Sequence, residues 1–222
     1  MLTGLLVSAG TATAQTITSP YRYVDERQSV SVYGGYLITD QGDLELGPES
    51  GPVGGARYSI RLGGPFHAEA RAMYFPTTRL VRDTSAVEGE LLTIGEADIS
   101  LLTLEASLRF NLTGPRTYYN LMPYFLVGGG AALAVSNDRS VEDAAEIGAE
   151  ARFDFGTRFA GHVGAGIEWF VTRRVAIRGE ARDIFWKLPT PDGLRGFLQP
   201  LDVPESEWVQ NFEFSLGAAF HF

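Results

Sequence analysis

The chain has 222 residues, no cysteine and a formal net charge of −9. Without cysteine there is no disulfide framework and no thiolate metal site, and the acidic balance argues against a nucleic-acid partner. No apolar run reaches the ~18 residues of a membrane-spanning helix, whereas 26 glycines and 12% aromatics suit twisted strands with interfacial aromatic belts.

Residues 1–14 contain L-T-G-L-L-V-S-A-G-T-A-T-A. This looks like the apolar core and A-x-A end of a secretory signal, with cleavage before Gln15. The basic start of such a signal is missing. Either the chain begins inside a longer signal, or this is an ordinary apolar N-terminus. Residues 15–28 are a polar lead-in, and 29–222 form the folded domain.

From residue 29 the chain alternates with period two, the mark of strands. The first strand, 29–39, puts Val30, Val32, Gly34, Tyr36 and Ile38 on one face. An acidic segment, 40–51, carries four acids and no base. The second strand, 53–62, sets Ala56, Tyr58, Ile60 and Leu62 against Arg57, Ser59 and Arg61. Gly63-Gly64-Pro65 reads as a tight turn. The third strand, 66–75, opposes Ala68, Ala70, Ala72 and Tyr74 to Glu69, Arg71 and Met73. Pro76 ends it, and 77–95 reads as a long polar loop. The fourth, 97–112, opposes Leu104, Leu108 and Phe110 to Thr103, Glu105, Ser107 and Arg109, and Thr113-Gly114-Pro115 turns the chain back.

The fifth strand, 118–135, is apolar on both faces. A buried helix is the alternative, but Pro123 and Gly128-Gly129-Gly130 break helices. Glycines on its inner face would make room for long side chains opposite. The acidic segment 136–156 has room for a short surface helix. The sixth strand, 157–171, alternates Phe159, Val163, Ile167 and Trp169 with Arg158, His162, Gly164, Gly166 and Glu168. After Thr172-Arg173-Arg174 the seventh, 175–187, opposes Val175, Ile177 and Ala181 to Arg178, Glu180 and Arg182. Four prolines mark the loop 188–208. The last strand, 209–222, carries Phe212, Phe214, Leu216, Phe220 and Phe222 on one face, with Glu213 on the other.

Long connections follow strands one, three, five and seven, and short ones follow two, four and six. This predicts an all-β fold: an eight-stranded antiparallel up-and-down barrel with its long loops at one end. A soluble barrel would face its charges to water. A membrane barrel must turn them inward, since an Arg facing lipid at the midplane costs about 2–4 kcal/mol. Eight strands leave a lumen just wide enough for side chains to fill. The expected content is an ion-pair network of Arg57, Arg61, Glu69, Arg71, Glu105, Arg109, Arg158, Glu168, Arg178, Glu180, Arg182 and Glu213.

The stretches P-Y-F-L-V-G-G-G-A-A (123–132), G-A-G-I-E-W-F-V-T-R-R-V-A-I-R-G-E-A-R (164–182) and the C-terminal strand carry a likeness. Over 29–222 the chain resembles the OmpA/OmpX-type small outer-membrane β-barrels. The resemblance implies a bacterial outer-membrane location. It implies contact with membrane lipids and lipopolysaccharide, and delivery by the outer-membrane assembly machinery, with Phe222 as the assembly signal. It also implies a structural, surface-interacting role, with a narrow channel for small solutes or hydrophobic molecules as the alternative. Some such barrels modify lipid A with a His, a Ser and an acid. Here His67, His162 and His221 lie on inner faces, and no motif selects one of them, so no catalytic residue is expected. No cofactor is expected either. The loop acids, among them Asp40, Asp43, Glu45, Glu142, Asp143, Glu146, Asp202, Glu205 and Glu207, lack the D-x-D-x-D-G calcium spacing. They read as a solvated acidic rim. No lysine follows the glycine run in phosphate-loop spacing.

Overall fold

The structure, a computed structural model, describes residues 19–87, 90–197 and 204–222. The signal-like segment 1–14, its cleavage point and Asp202 lie outside these residues.

In chain order the elements are β1 (Tyr21–Tyr23), β2 (Gln28–Ile38), β3 (Gly51–Gly63), β4 (Phe66–Val87), β5 (Glu90–Asn111), β6 (Arg116–Tyr118), β7 (Leu121–Asn137), α1 (Ser140–Ala144), β8 (Thr157–Phe170), β9 (Val175–Pro189), α2 (Asp192–Phe197) and β10 (Ser206–His221). Eight of them, β2 to β5 and β7 to β10, pair antiparallel with their sequence neighbours. The first and last then pair with each other, from Ile38↔Phe212 to Ser29↔His221. These eight strands therefore close into a barrel, whose wall leaves none of the exposed backbone donors and acceptors of an open sheet.

Alternation assigns every strand one inward and one outward face. Outward sites such as Val32, Leu104, Leu108, Phe125, Phe214 and Leu216 are exposed and apolar. Exposed aromatics gather at two levels. Phe66, Phe110, Trp169 and Phe220 lie at the end carrying the short turns; Tyr36, Tyr74, Phe159 and Trp208 lie toward the loops. An apolar band between aromatic girdles is the outer surface of a barrel that meets acyl chains.

The inward side chains form three layers. Nearest the turns, Val24, Met122, Phe170, Ala176 and Ala219 make a small apolar cluster. Val24 comes from the N-terminal lead-in, which crosses this mouth. There β1 pairs with β6, and Arg61 donates to the Val24 and Asp25 carbonyls. The middle layer is ionic. Toward the loops lies a larger apolar core that includes Leu37, Val53, Phe75, Ile99, Leu101, Ile184 and Trp186. Leu46, Phe153, Phe155 and Leu194 reach it from three loops and seal that mouth.

The expected loop at 77–95 is instead mostly strand. β4 and β5 each run 22 residues, about 70 Å at ~3.3 Å per residue. That is far more than a tilted crossing needs, so the hairpin projects past the barrel. Thr77, Arg79 and Val81 alternate with Thr78, Leu80 and Arg82, a period-two pattern whose polarity suggests a loop.

A second ionic anchor sits on this hairpin. Arg79 is buried, donates to Glu142 of α1 at 2.5 Å and to Asn137 Oδ1 at 3.0 Å, and stacks over Phe153. Val81, Ala97 and Ile147 pack beside it. Ahead of α1, the Ser140 backbone N–H and hydroxyl donate to the Asp138 carboxylate and hold its pKa below the usual range. We expect Arg79→Met to strand the Glu142 carboxylate and undock this loop. Trypsin cleavage at Arg139 or Arg152 should rise about tenfold or more, with barrel melting little changed.

Candidate functional site

The middle layer holds five arginines and five glutamates: Arg57, Arg71, Arg109, Arg178, Arg182 and Glu69, Glu105, Glu168, Glu180, Glu213. Ladder register explains why they meet. Arg71 and Glu105 are direct partners across β4 and β5. Arg182 and Glu213 are opposed across β9 and β10, and Glu168 faces Arg178 across β8 and β9. Side chains that point inward on opposite walls then reach across a narrow lumen.

Arg178 is the centre. Its guanidinium donates to Glu69 at 2.5 Å and to Glu180 at 2.5 Å. Arg182 donates to Glu180 at 2.6 Å, Glu105 at 2.9 Å and Glu69 at 3.0 Å. Arg71 joins Glu213 at 2.5 Å and Glu105 at 3.1 Å. Arg109 makes a forked pair with Glu168 at 2.6 and 2.9 Å. Arg57 reaches Glu180 at 3.3 Å. All ten are buried. Each carboxylate has at least one guanidinium partner, and five groups of each sign balance the layer electrically.

Two expected members lie apart. Arg61 sits at the turn end, where its donors go to lead-in carbonyls and its guanidinium stacks on Tyr23. Arg158 sits at the loop end of β8 and donates to the Phe155 carbonyl. Both have inward parity, but parity sets the face and not the depth. The acids cluster at mid-barrel, out of their reach.

Two tyrosines that the charge pattern did not single out organise the layer. Tyr33 lies under Arg57 and Arg71, with guanidinium carbons 4.2 and 4.7 Å from its ring centroid. Tyr124 lies under Arg109 and Arg178 at 4.0 and 4.6 Å, and its hydroxyl donates to Glu180 at 2.6 Å. For Tyr33 the signal was an aromatic in line with Ser29 and Ser31 on the inner face; for Tyr124 there was none, since its strand reads as apolar on both faces. Glycines make their space. A Cβ on Gly166 would stand 2.2 Å from the Tyr124 hydroxyl, and one on Gly55 2.5 Å from that of Tyr33.

The three histidines are separated. His67 contacts Asn111 at 3.1 Å near the turns, and His221 packs at a tilt against Phe170, ring centroids 4.8 Å apart. Those two border a cavity of about 10 Å³, room for about one water. His162 lies in the ionic layer. Its Nε2 is 2.8 Å from Ser107 Oγ, and its Nδ1 is 3.4 Å from Glu105. That order of groups is the one a nucleophile and its base require. Yet Ser107 and His162 are buried, and Glu105 is committed to Arg71 and Arg182.

The loop acids also have local partners. Glu45 pairs with Arg82, Asp143 with Arg152 and Glu205 with Arg195, while Glu207 accepts from the Asp43 backbone. Among the described residues no three His, Asp or Glu groups converge as for a metal ion.

Neither a protein-family model nor a curated protein sequence matches the chain. Solved structures do. The outer-membrane protein OprG of Pseudomonas aeruginosa superposes with a TM-score of 0.57 at 14% identity, over 89% of this chain and 97% of its own. Neisserial surface protein A gives 0.51 at 15% identity, over 92% and 98%. The Escherichia coli outer membrane protein W gives 0.51 at 12% identity, over 89% and 100%. The fold is that of the small eight-stranded outer-membrane β-barrels.

Proposed function

We propose that this chain is an integral outer-membrane barrel with a structural and surface-interacting role in a bacterial envelope. Its lumen is a plug and not a conduit. The observation that carries the reading is the balanced layer of five arginines and five glutamates, with apolar seals on both sides. The apolar band outside binds the barrel to lipid, and the docked loops present a fixed surface to partners. The short-turn end faces the periplasm and the loop end faces the exterior.

The test is conductance of the purified protein in a planar bilayer. A plugged barrel inserts and passes no steady current, and Arg178→Gln with Arg182→Gln leaves it closed or unstable. A stable conductance from the wild type, abolished by that pair, would establish a channel.

One observation favours a second reading, a path for small hydrophobic molecules. The outer half of the lumen is apolar, walled by Phe75, Ile99, Leu101 and Trp186. Loop residues fill it, so such a path needs the loops to part. A lipid-modifying enzyme is disfavoured because Ser107, His162 and Glu105 face the lumen, behind the barrel wall from any lipid.

Phe222 also enters this proposal. Its backbone exchanges hydrogen bonds with Gln28 at 2.9 and 3.1 Å, which finishes the seam between the first and last barrel strands. Its ring stacks on Phe220. We expect deletion of Phe222 to lower the yield of membrane-assembled barrel severalfold, read as folded protein in the outer-membrane fraction. Unchanged yield would remove its role as an assembly signal.

A further inference from the structure

One ionisable side chain breaks the outer apolar band. Asp183 has outward parity on β9, between the buried Arg182 and Ile184. Val163 faces it across β8 and Phe212 across β10, both exposed and apolar. Between the two aromatic girdles it is the only outward-facing charged residue among the described residues. It makes no side-chain hydrogen bond or ion pair with any of them, and its Oδ1 is covered and unpartnered. A carboxyl group held against acyl chains without a partner is costly, and such residues mark sites of interaction.

The surroundings indicate a partner. Two and four residues above Asp183 on the same face stand Phe185 and Lys187. Lys187 is the chain's single lysine. Its ammonium lies over the Trp208 ring, 5.3 Å from the centroid, while Phe185 meets the same indole at 6.0 Å. Gln210 is opposite Phe185 on β10 and is exposed. Trp208 marks the outer interface. Asp183 is in register with Phe212, four residues below Trp208. At ~3.3 Å per residue and a tilt of about 40° this is ~10 Å into the hydrocarbon. The face thus offers a cation at headgroup level and an unpaired carboxyl with a nearby amide deeper down.

We infer that this face of β9 and β10 is a binding site for an outer-leaflet lipid with a phosphorylated headgroup and hydroxyl- or amide-bearing acyl chains. Lys187 takes the phosphate, Trp208 and Phe185 lie along the first methylenes, and Asp183 with Gln210 pairs with the polar groups on the chains. A phospholipid with plain acyl chains satisfies Lys187 alone. The inference rests on the outer-membrane reading and adds a ligand class to it.

The test refolds the full chain into nanodiscs holding equal amounts of diphosphorylated lipid A and dioleoyl phosphatidylglycerol. Retained lipid is read by native mass spectrometry after mild detergent release. The wild type should retain one lipid A in preference to the phospholipid. Asp183→Leu and Lys187→Gln should each weaken retention about five- to tenfold, Asp183→Asn less. Asp183→Leu removes a carboxyl from lipid, so its barrel should melt no lower than wild type, which separates lost binding from lost folding. Equal retention of both lipids by the wild type, or full lipid A retention by Asp183→Leu, would overturn the inference and leave the envelope reading intact. So would a wild-type dimer that Asp183→Leu dissolves, which would assign the face to a second copy of the chain. Failure of the wild type to enter nanodiscs at all would overturn both.

Discussion

Arg178→Met should be the most damaging single substitution in the lumen, with a loss of about 3–5 kcal/mol. Arg178 pairs with Glu69 and Glu180, lies 4.0 Å from Glu168, and its Nε donates to the Tyr124 hydroxyl. Removing it leaves Glu69 with Arg182 as its one guanidinium partner and puts five carboxylates against four guanidiniums in a buried layer, and a buried charge without its partner costs more than the pair contributes. The remedy follows from the same argument. Glu69→Gln in the Arg178→Met background removes the carboxylate that depended on it most, leaving Arg182 without one partner but with two others. The double variant should recover at least about 1–2 kcal/mol over the single, a coupling of the size found between residues of one network. Urea unfolding in lipid vesicles, followed by tryptophan fluorescence, measures both. Strict additivity of the two substitutions would mean that the layer does not act as a connected unit.

Leu108→Arg should match that damage from the opposite side of the same wall. Leu108 is exposed on the outer face of β5, opposite Ala68 and Val127. It lies about halfway between Leu112 at the turn end and Leu102, which pairs with Tyr74 of the outer girdle. An arginine at the hydrocarbon midplane of a barrel costs about 2–4 kcal/mol. The next residue, Arg109, is native, buried and paired with Glu168. One position apart, the same side chain is thus required on one face and harmful on the other. The measurement is folded yield in vesicles together with the urea midpoint. Lys at 108 should behave likewise, and Phe should be neutral.

The barrel was legible because its strands stand between two sharply different surroundings, so period-two alternation is nearly unbroken in β2, β3, β8 and β10. The strand count and the alternation of long and short connections followed from that pattern. Legibility failed where one of the two surroundings was missing. Residues 77–82 hold only Leu80 and Val81 as apolar side chains, and these fall on opposite faces, so no greasy face announced the hairpin. The outer half of the lumen failed for the opposite reason. Phe75, Leu101, Ile184 and Trp186 are apolar on the inner face, where charge was the expected content, and they meet loop residues such as Phe155 and Leu194 that are remote in sequence. Depth was the other blind spot. Parity alone could not tell that Arg61 and Arg158 lie at the two ends of the barrel, or that Asp183 stands within its apolar band. The pairing of Arg79 with Glu142 joins residues 63 apart, a contact that no local pattern encodes.

The claim beneath all of this is that the inner face is shut away from both water and lipid while the outer face meets acyl chains. The chain has no cysteine, so single-cysteine variants can report one site each. Cysteines at Thr103, Leu104, Ala106, Ser107 and Leu108 of β5, each carrying a nitroxide and reconstituted in vesicles, place both faces in one experiment. Oxygen, which partitions into lipid, should relax the labels at 104, 106 and 108. A water-soluble nickel chelate should reach none of the five, and the labels at 103 and 107 should be immobile and shielded from both. Relaxation of 103 or 107 by the chelate would mean a water-filled lumen, and chelate access at 104, 106 and 108 would mean that the barrel does not sit in a membrane.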